Sequence, residues 1–563
     1  MTQLIECVPN FSVWNDLSVI RQITDEIETV EGIRLLDVDP GQATNRTVVT
    51  FVGSPREVVE AAVRGLQRAT ELIDMRDHHG EHPRFGATDV CPLVPVSGIS
   101  MEETVRHARE LARRLGEEIG LTVYCYESAA FFDDRRNLAA VRAGEYEGLK
   151  EKLSRPGWKP DFGPAEFNPR SGATAVGARG FLVAYNINLN TTSTRRANAI
   201  AFDAREKGRI KREGNPLTGK IVRDEEGTPV YIPGTLKCVK GIGWFIEEYG
   251  VAQISMNLTN ISVTPVHVAF DEVCRRARAR GVRVTGSEIV GLIPLKAVLD
   301  AGLHYLRKQH RSLGIPDHEI IKIACKSLGL DDLEPFKPEE KIIEYVLADQ
   351  PASELVQMSV RTFVEATASE SPAPGGGSIA ASMGAMGAAL ATMVANLSSH
   401  KRGWDERWEE FSDWAVKGRQ LYDELLRLVD EDTRAFNGII DAYRLPQGTE
   451  TEKQDRDSVV QAATLRAIEV PFQVMEQALA SMRVIRVMAQ IGNPNSVSDA
   501  AVGALCARSA VMGAFLNVKI KSGDLSDQKV VEDFLTRGRE MEHQAVVLEA
   551  EILGIVDQKR QAS

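Results

Sequence analysis

Up to about residue 346, short apolar runs with β-branched residues alternate with helical stretches; beyond about 355 only helical spacing remains. Val48-Val49-Thr50-Phe51-Val52 predicts a strand, and Val58, Val59, Ala62 and Leu66 share one face of a predicted helix over 55–69. The pattern then returns. Thr259-Asn260-Ile261-Ser262-Val263 echoes Thr44-Asn45-Arg46-Thr47-Val48, a helix is predicted over 270–280, and the run from Gly286 to Leu295 echoes Gly86 to Val96. Two related α/β subdomains side by side account for this most simply.

In the second half, Trp404, Trp408, Phe411, Ala415, Tyr422, Leu425, Val429, Phe436 and Ile440 recur mostly at steps of three, four or seven, a long amphipathic helix. Further helices are predicted over 455–490, kinked at Pro471, and over 497–518 and 528–552. Residues 379–397 carry no charge, a length sufficient for a bilayer. Their apolar content is mainly alanine, glycine and methionine, however, which predicts a helix buried in a close-packed bundle. Ala348 to Ser353 has the composition of a linker.

Composition narrows the class. At 563 residues several domains are expected, and a net charge of −12 without a basic domain argues against nucleic-acid binding. Seven cysteines without paired spacing fit free thiols in a reducing cytoplasm. The N-terminal residues show no basic start followed by an apolar stretch, so no secretory leader is expected.

Two places carry candidate chemistry. In Gly80-Glu81-His82-Pro83-Arg84-Phe85-Gly86 a proline stiffens the backbone behind an imidazole, and a loop histidine so held can move protons near neutral pH. The bland alternative is a solvated loop histidine. His78 and His79 add a third reading, a metal centre with His82. In the long helix the apolar stripe through Leu425 and Val429 lands on Asp432 before Phe436, whereas Asp430 and Glu431 fall off it and are expected to face solvent. A carboxylate on a buried face must be paired, protonated or functional; a satisfied core aspartate is the alternative. Upstream, Ala373-Pro374-Gly375-Gly376-Gly377-Ser378 opens the small-residue helix, with Ser378 placed to cap it. Gly492-Asn493, Ser498-Asp499 and Asn517 add polar groups that would share a pocket in such a bundle.

These motifs resemble, over nearly the whole chain, the bifunctional formimidoyltransferase-cyclodeaminases of histidine degradation. The matching stretches include Glu6-Cys7-Val8-Pro9-Asn10-Phe11-Ser12, Leu36-Asp37-Val38-Asp39, Gly80 to Pro95, Pro160-Asp161-Phe162-Gly163-Pro164, Ala373 to Ser378 and Asp430 to Phe436. The resemblance implies a multidomain chain: two α/β, sandwich-like subdomains forming a transferase (1–181 and 182–346), a linker (347–354), and an all-α cyclodeaminase bundle (355–563). It implies transfer of a formimino group from N-formimino-L-glutamate to tetrahydrofolate, then cyclisation to 5,10-methenyltetrahydrofolate with loss of ammonia. His82 is implied as the transferase base and Asp432 as the cyclodeaminase acid. By the same resemblance, Gly163-Pro164-Ala165-Glu166-Phe167-Asn168-Pro169-Arg170-Ser171-Gly172 lies in the folate-binding stretch. We add Asp39 as a partner orienting the His82 ring.

Tetrahydrofolate, in the polyglutamylated form that the resemblance implies, would be a one-carbon acceptor substrate; neither a metal nor a redox cofactor is expected. The partners implied are these small molecules and a homo-oligomer built from dimers, cytoplasmic, with no membrane association. Two alternatives stay open: a single-activity transferase with an oligomerising helical half, and a metal-dependent hydrolase at His78, His79 and His82. The chain departs from the family pattern at Val13-Trp14-Asn15-Asp16, and in an insertion over 209–235 rich in Lys211, Arg212, Lys220 and Arg223. The insertion is predicted as an exposed hairpin, either solvated or holding a polyglutamate tail.

Overall fold

In the computed structural model, residues 3–41, 45–78, 84–215, 218–247, 249–347 and 355–562 are described. They form two units, Met1–Val298 with Leu328–Ala348, and Leu299–Ser327 with Asp349–Ser563. In the first, strands β1 (Leu4–Cys7), β2 (Asn10–Phe11), β3 (Arg34–Gly41), β4 (Arg46–Gly53), β5 (Thr88–Ser97), β6 (Thr122–Glu127) and β7 (Ala173–Ala178) make one mixed sheet. Its path runs β1-β4-β2-β5-β7-β6, with β3 on the other edge of β4; β5, β7 and β6 pair in parallel. Helices α1 (Leu17–Glu28), α2 (Pro55–Leu72) and α3 (Met101–Glu117) supply apolar faces to its core. The α2 face is the one its spacing predicts: Val58, Val59, Ala62, Leu66 and Ala69 are buried, and Ser54 with Glu57 closes the helix start as a capping box. Gly65 lets α1 and α2 meet, since a methyl there would lie 2.7 Å from Ile27. Two short helices, α4 (Leu138–Val141) and α5 (Leu149–Ser154), precede β7.

The second sheet holds β8 (Val183–Leu189), β11 (Val239–Ile246), β12 (Val251–Leu258) and β13 (Val284–Val290), all antiparallel in the order β11-β12-β8-β13. Helix α6 (Thr194–Ala204) follows its first strand and α7 (Val266–Arg278) its third. In both sheets, then, the first four strand segments lie in the order second, third, first, fourth, with helices after the first and third. The topology repeats. Of the two sequence echoes, Gly86–Val96 and Gly286–Leu295 overlap equivalent fourth strands, β5 and β13, the second echo running past Val290 to the start of α8. The other pair does not correspond: Thr259 to Val263 is a turn leaving β12, whereas its counterpart leads into β4. The insertion forms a hairpin, with β9 (Arg209–Ile210) against β10 (Tyr231–Ile232) and bridges Arg212–Ile221 and Arg223–Pro229 beyond them.

The helical unit begins within α8 (Leu295–Lys308) and α9 (Asp317–Leu328); α10 (Pro338–Lys341) and α11 (Ile343–Leu347) belong to the first unit. The turn between α8 and α9 is fastened to the bundle by Ser312 Oγ donating to Asn396 Oδ1 at 2.6 Å and by Gly314 lying flush on Ala415. After α12 (Val360–Thr367) come α13 (Gly376–Ser399), α14 (Trp408–Tyr443), α15 (Glu450–Ile491), α16 (Val497–Lys521) and α17 (Gln528–Ala562). Helix α13 packs among its neighbours through small residues. Gly387 faces the Gly503 carbonyl, 2.8 Å from where a methyl would stand. Helix α15 continues through Pro471, and Trp404 precedes α14, stacking on Phe411 at 5.3 Å. Gly376–Ser399 and Pro494–Asp524 are long and apolar enough to cross a membrane by length and composition, and 61% of the first one's most apolar window is buried within the protein. That burial fits a core helix.

Candidate active sites

The two sheets of the first unit share a cleft of about 420 Å³. Strand alternation aims one polar face of each sheet at it: Glu6, Asn10 and Arg46 on one side, Lys240 and Asn257 on the other. Asp39 stands in its wall, exposed, two residues from Asp37, whose carboxyl is pushed up by burial and by Asp39 itself. His82 lies outside the described residues, as does His79. His78 is buried, and its Nε2 is 2.7 Å from the Asn45 carbonyl, a contact that occupies that nitrogen. Among the described residues no group of three His, Cys, Asp or Glu side chains is placed to hold a metal.

The stretch 163–172 is pinned at both ends by glycines no other residue could replace without movement. Gly163 has φ +78°, and a methyl on it would lie 1.8 Å from the Leu121 carbonyl oxygen. Gly172 and Gly86 are set back to back, bridged by Ala87 N donating to Ser171 O (2.8 Å) and Ala173 N to Phe85 O (3.0 Å). The root of the His82 loop and the end of the stretch are therefore one piece of structure. Between those ends the stretch is mostly exposed; Ala165, Glu166, Phe167 and Pro169 wall a groove of about 550 Å³ with Lys150. Its entry is held by Asp161, which accepts from Arg135 at 2.5 Å and from the Cys125 amide at 2.7 Å. Arg135 sits among the rings of Tyr124, Phe132 and Trp158, and both charges are 2% exposed. Removing one member strands the other without water. Arg135→Ala should cost about 3–5 kcal/mol in denaturant unfolding, and a loss under about 1 kcal/mol would contradict a sealed pair.

Sequence reading missed two buried carboxylates here. Glu6 lines the cleft, and burial lifts its carboxyl to about 7, with Arg179 pulling the other way. Asp89 is 1% exposed on β5, bonded to Arg142 and with Arg46 at 3.9 Å. Burial holds it at about 6 against those two cations, and its Oδ1 has no hydrogen-bond partner among the described residues. The signal was a lone acid inside an otherwise apolar strand. Because folding raises the Glu6 pKa, the folded state holds its proton longer, so stability is highest below about 4.5 and falls as pH rises through about 7. Measured against Glu6→Gln by urea unfolding, the wild type should lose roughly 3 kcal/mol between about pH 4 and pH 8. Parallel pH profiles for the two proteins would disprove the shift.

In the helical unit the stripe argument for Asp432 holds: the residue is 6% exposed. Its carboxylate lies against the start of α13, where a methyl on Gly377 would be 2.3 Å from Oδ1. Ser378 Oγ is 3.2 Å from Oδ2 and 2.9 Å from the Val429 carbonyl, and Lys521 Nζ, which sequence reading missed, is 3.4 Å from Oδ1. Thr433 Oγ1 lies 3.3 Å from Ser378 Oγ, and Gly376 faces the Asn517 amide. Glycines at the helix start thus admit an acid where a helix N-terminus and an ammonium both favour negative charge.

Three expectations are corrected. Ser378 caps nothing, because the N-cap is Gly375 and the serine reaches across to α14. Asp430 is buried, not solvated, and accepts from the Leu355 amide at 2.6 Å. Asn493 belongs to the far end of α13, its amide bonded to Ser398 Oγ at 2.8 Å, so Gly492, Asn493, Ser498 and Asp499 do not join Asp432. Glu431 is half-buried and paired with Arg466 at 2.8 Å.

A polar cleft between paired α/β sheets, and a separate acid held at a helix start in a bundle, are the arrangement expected of an enzyme with two centres on one chain. Family models match in order: the formiminotransferase domain's N-terminal subdomain over residues 4–179, the formiminotransferase domain over 184–348, and formiminotransferase-cyclodeaminase over 359–540. The formimidoyltransferase-cyclodeaminase of Rattus norvegicus is 42% identical across the full length of both chains, and that of Gallus gallus 44% identical over 94% of each. The glutamate formimidoyltransferase of Thermoplasma acidophilum is 42% identical over 54% of this chain and 92% of its own. The chain belongs to the formimidoyltransferase-cyclodeaminase family.

Proposed function

We propose that the chain is a bifunctional folate enzyme. It transfers the formimino group of N-formimino-L-glutamate to N5 of tetrahydrofolate, then closes that group onto N10, releasing ammonia and forming 5,10-methenyltetrahydrofolate. What carries this reading is the match of both transferase and cyclodeaminase family models, in order, onto halves that each hold their own polar centre. Its test is a spectrophotometric one: with formiminoglutamate and tetrahydrofolate supplied, the protein alone should generate methenyltetrahydrofolate and ammonia in equal amounts. Glutamate release without ammonia would leave only the transferase.

In the α/β unit N5 attacks the amidine carbon of the donor, and a tetrahedral adduct forms. His82 takes the proton from N5 and returns it to the departing glutamate nitrogen, with Asp39 steadying the imidazolium. The stretch from Gly163 to Gly172 grips the folate, supported in this role by its shared root with the His82 loop. In the helical unit N10 attacks the same carbon. Asp432 offsets the positive charge of the amidinium and carries the N10 proton toward the ammonia that leaves. Ser378 and Lys521 hold its two oxygens in place.

The acceptor in this reading carries a polyglutamate tail, and the protein works in the cytoplasm as a homo-oligomer of dimers. Assembly is supported by an apolar groove of about 740 Å³ walled by Met386, Met393, Leu397 and Leu426, and by exposed Val502, Leu505, Leu516 and Ile520 on α16. Light scattering should give a multiple of the 61.9 kDa chain; a monomer at working concentration would reject assembly.

A further inference from the structure

On the face of the second sheet turned away from the cleft, α6 and the 209–235 hairpin enclose a pocket of about 510 Å³. The side is fixed by strand alternation. Lys240 points into the cleft, whereas its neighbour Gly241 and Gly243 lie under α6, a methyl on Gly243 falling 2.3 Å from the Asn198 amide. Asn198 locks the helix there, donating to the Gly243 carbonyl (2.8 Å) and accepting from its amide (3.0 Å).

Four guanidinium groups line this pocket: Arg195 and Arg205 from α6 and its end, Arg209 and Arg212 from the hairpin. No acidic side chain lines it among the described residues, in a chain whose net charge is −12. Arg209 is neutralised from outside by Asp203, which also holds Arg280. Among the described residues the others have no such acidic partner. Arg205 donates to the carbonyls of Gly208 (3.0 Å) and Gly241 (3.1 Å) and lies over the Phe202 ring at 4.0 Å, and Arg212 donates to the Gly219 carbonyl at 2.8 Å. Carbonyls orient a guanidinium without cancelling its charge. The hairpin's backbone bonds, Lys211 N to Val230 O (2.8 Å) and Glu213 N to Lys220 O (2.9 Å), fix where Arg209 and Arg212 stand.

We propose that this pocket is a binding site, separate from both centres, for a small molecule bearing at least two carboxylate or phosphate groups. Planar guanidiniums brought from two elements suit such groups, because each can take an oxyanion edge-on with two parallel bonds. The volume falls within the roughly 300–1,000 Å³ common for small-molecule sites. Phe202 and Tyr231 supply an apolar wall beside the charges.

Calorimetric titration of the full chain with tripolyphosphate and, separately, with citrate tests the assignment. One saturable site per chain is expected with at least one probe, weakening as salt is added. The double variant Arg195→Gln/Arg212→Gln, which touches neither centre, should bind that probe at least about tenfold less tightly, with both activities unchanged. Tighter tripolyphosphate binding identifies a phosphate ester as the natural ligand class, and tighter citrate binding a polycarboxylate. Failure of both probes to saturate by about 10 mM, weaker than any useful charge-assisted site, overturns the proposal. So does a double variant that titrates like the wild type.

Discussion

Asp432→Asn should lower ammonia release from supplied 5-formiminotetrahydrofolate by about 100- to 10,000-fold, while glutamate release from formiminoglutamate proceeds at its normal rate. The change keeps the shape of the side chain and its hydrogen bond with Ser378 but removes the charge and the proton site. A companion substitution separates position from charge. Gly377→Ala places a methyl 2.3 Å from Oδ1 and must displace the carboxylate or the helix start, although every charged group remains. It should therefore impair cyclisation too, with a melting temperature close to that of the parent. Normal ammonia release from folded Asp432→Asn protein would remove the helical centre from the mechanism.

His82→Ala should have the opposite signature. Formimino transfer should fall by about 100- to 10,000-fold, and cyclisation of the supplied intermediate should continue. Added imidazole gives a second readout, since a small base entering the emptied space should restore part of the lost rate, more so above its own pKa. A variant that retains transfer would pass the role of base to another group, and one that loses both activities while folded would overturn the separation of the two centres. Glu6, the buried acid in the cleft wall with its carboxyl near 7, is the group to examine if transfer is retained.

Helices and strands were legible because their apolar spacing is local. The face of α2 and the length of α14 follow from residues three and four apart, and Asp432 emerged because it interrupts such a stripe. The same reasoning fails two residues away. A single apolar stripe gives α14 one covered face and leaves Asp430 to water, whereas the segment at Leu355 covers another face. A serine near a helix start commonly caps it, but the partners of Ser378, Val429 and Asp432, stand more than 50 residues along the chain. Glu6 and Asp89 look like ordinary outward positions of alternating strands until a second sheet closes over that face or the sheet's own arginines surround it. Lys521 shares no pattern with Asp432. What spacing along one helix cannot disclose is which other helix arrives opposite.

The back-to-back glycines at positions 86 and 172 set a limit on how this enzyme can be altered. With a methyl on Gly86 only 2.3 Å from the Ala173 carbonyl oxygen, and one on Gly172 2.5 Å from that of Phe85, neither seam tolerates even alanine unless its neighbour recoils. Swapping one loop between relatives, without the strip it is sewn to, should therefore yield misassembled chimaeras, whereas exchanging the two together should preserve the stitch.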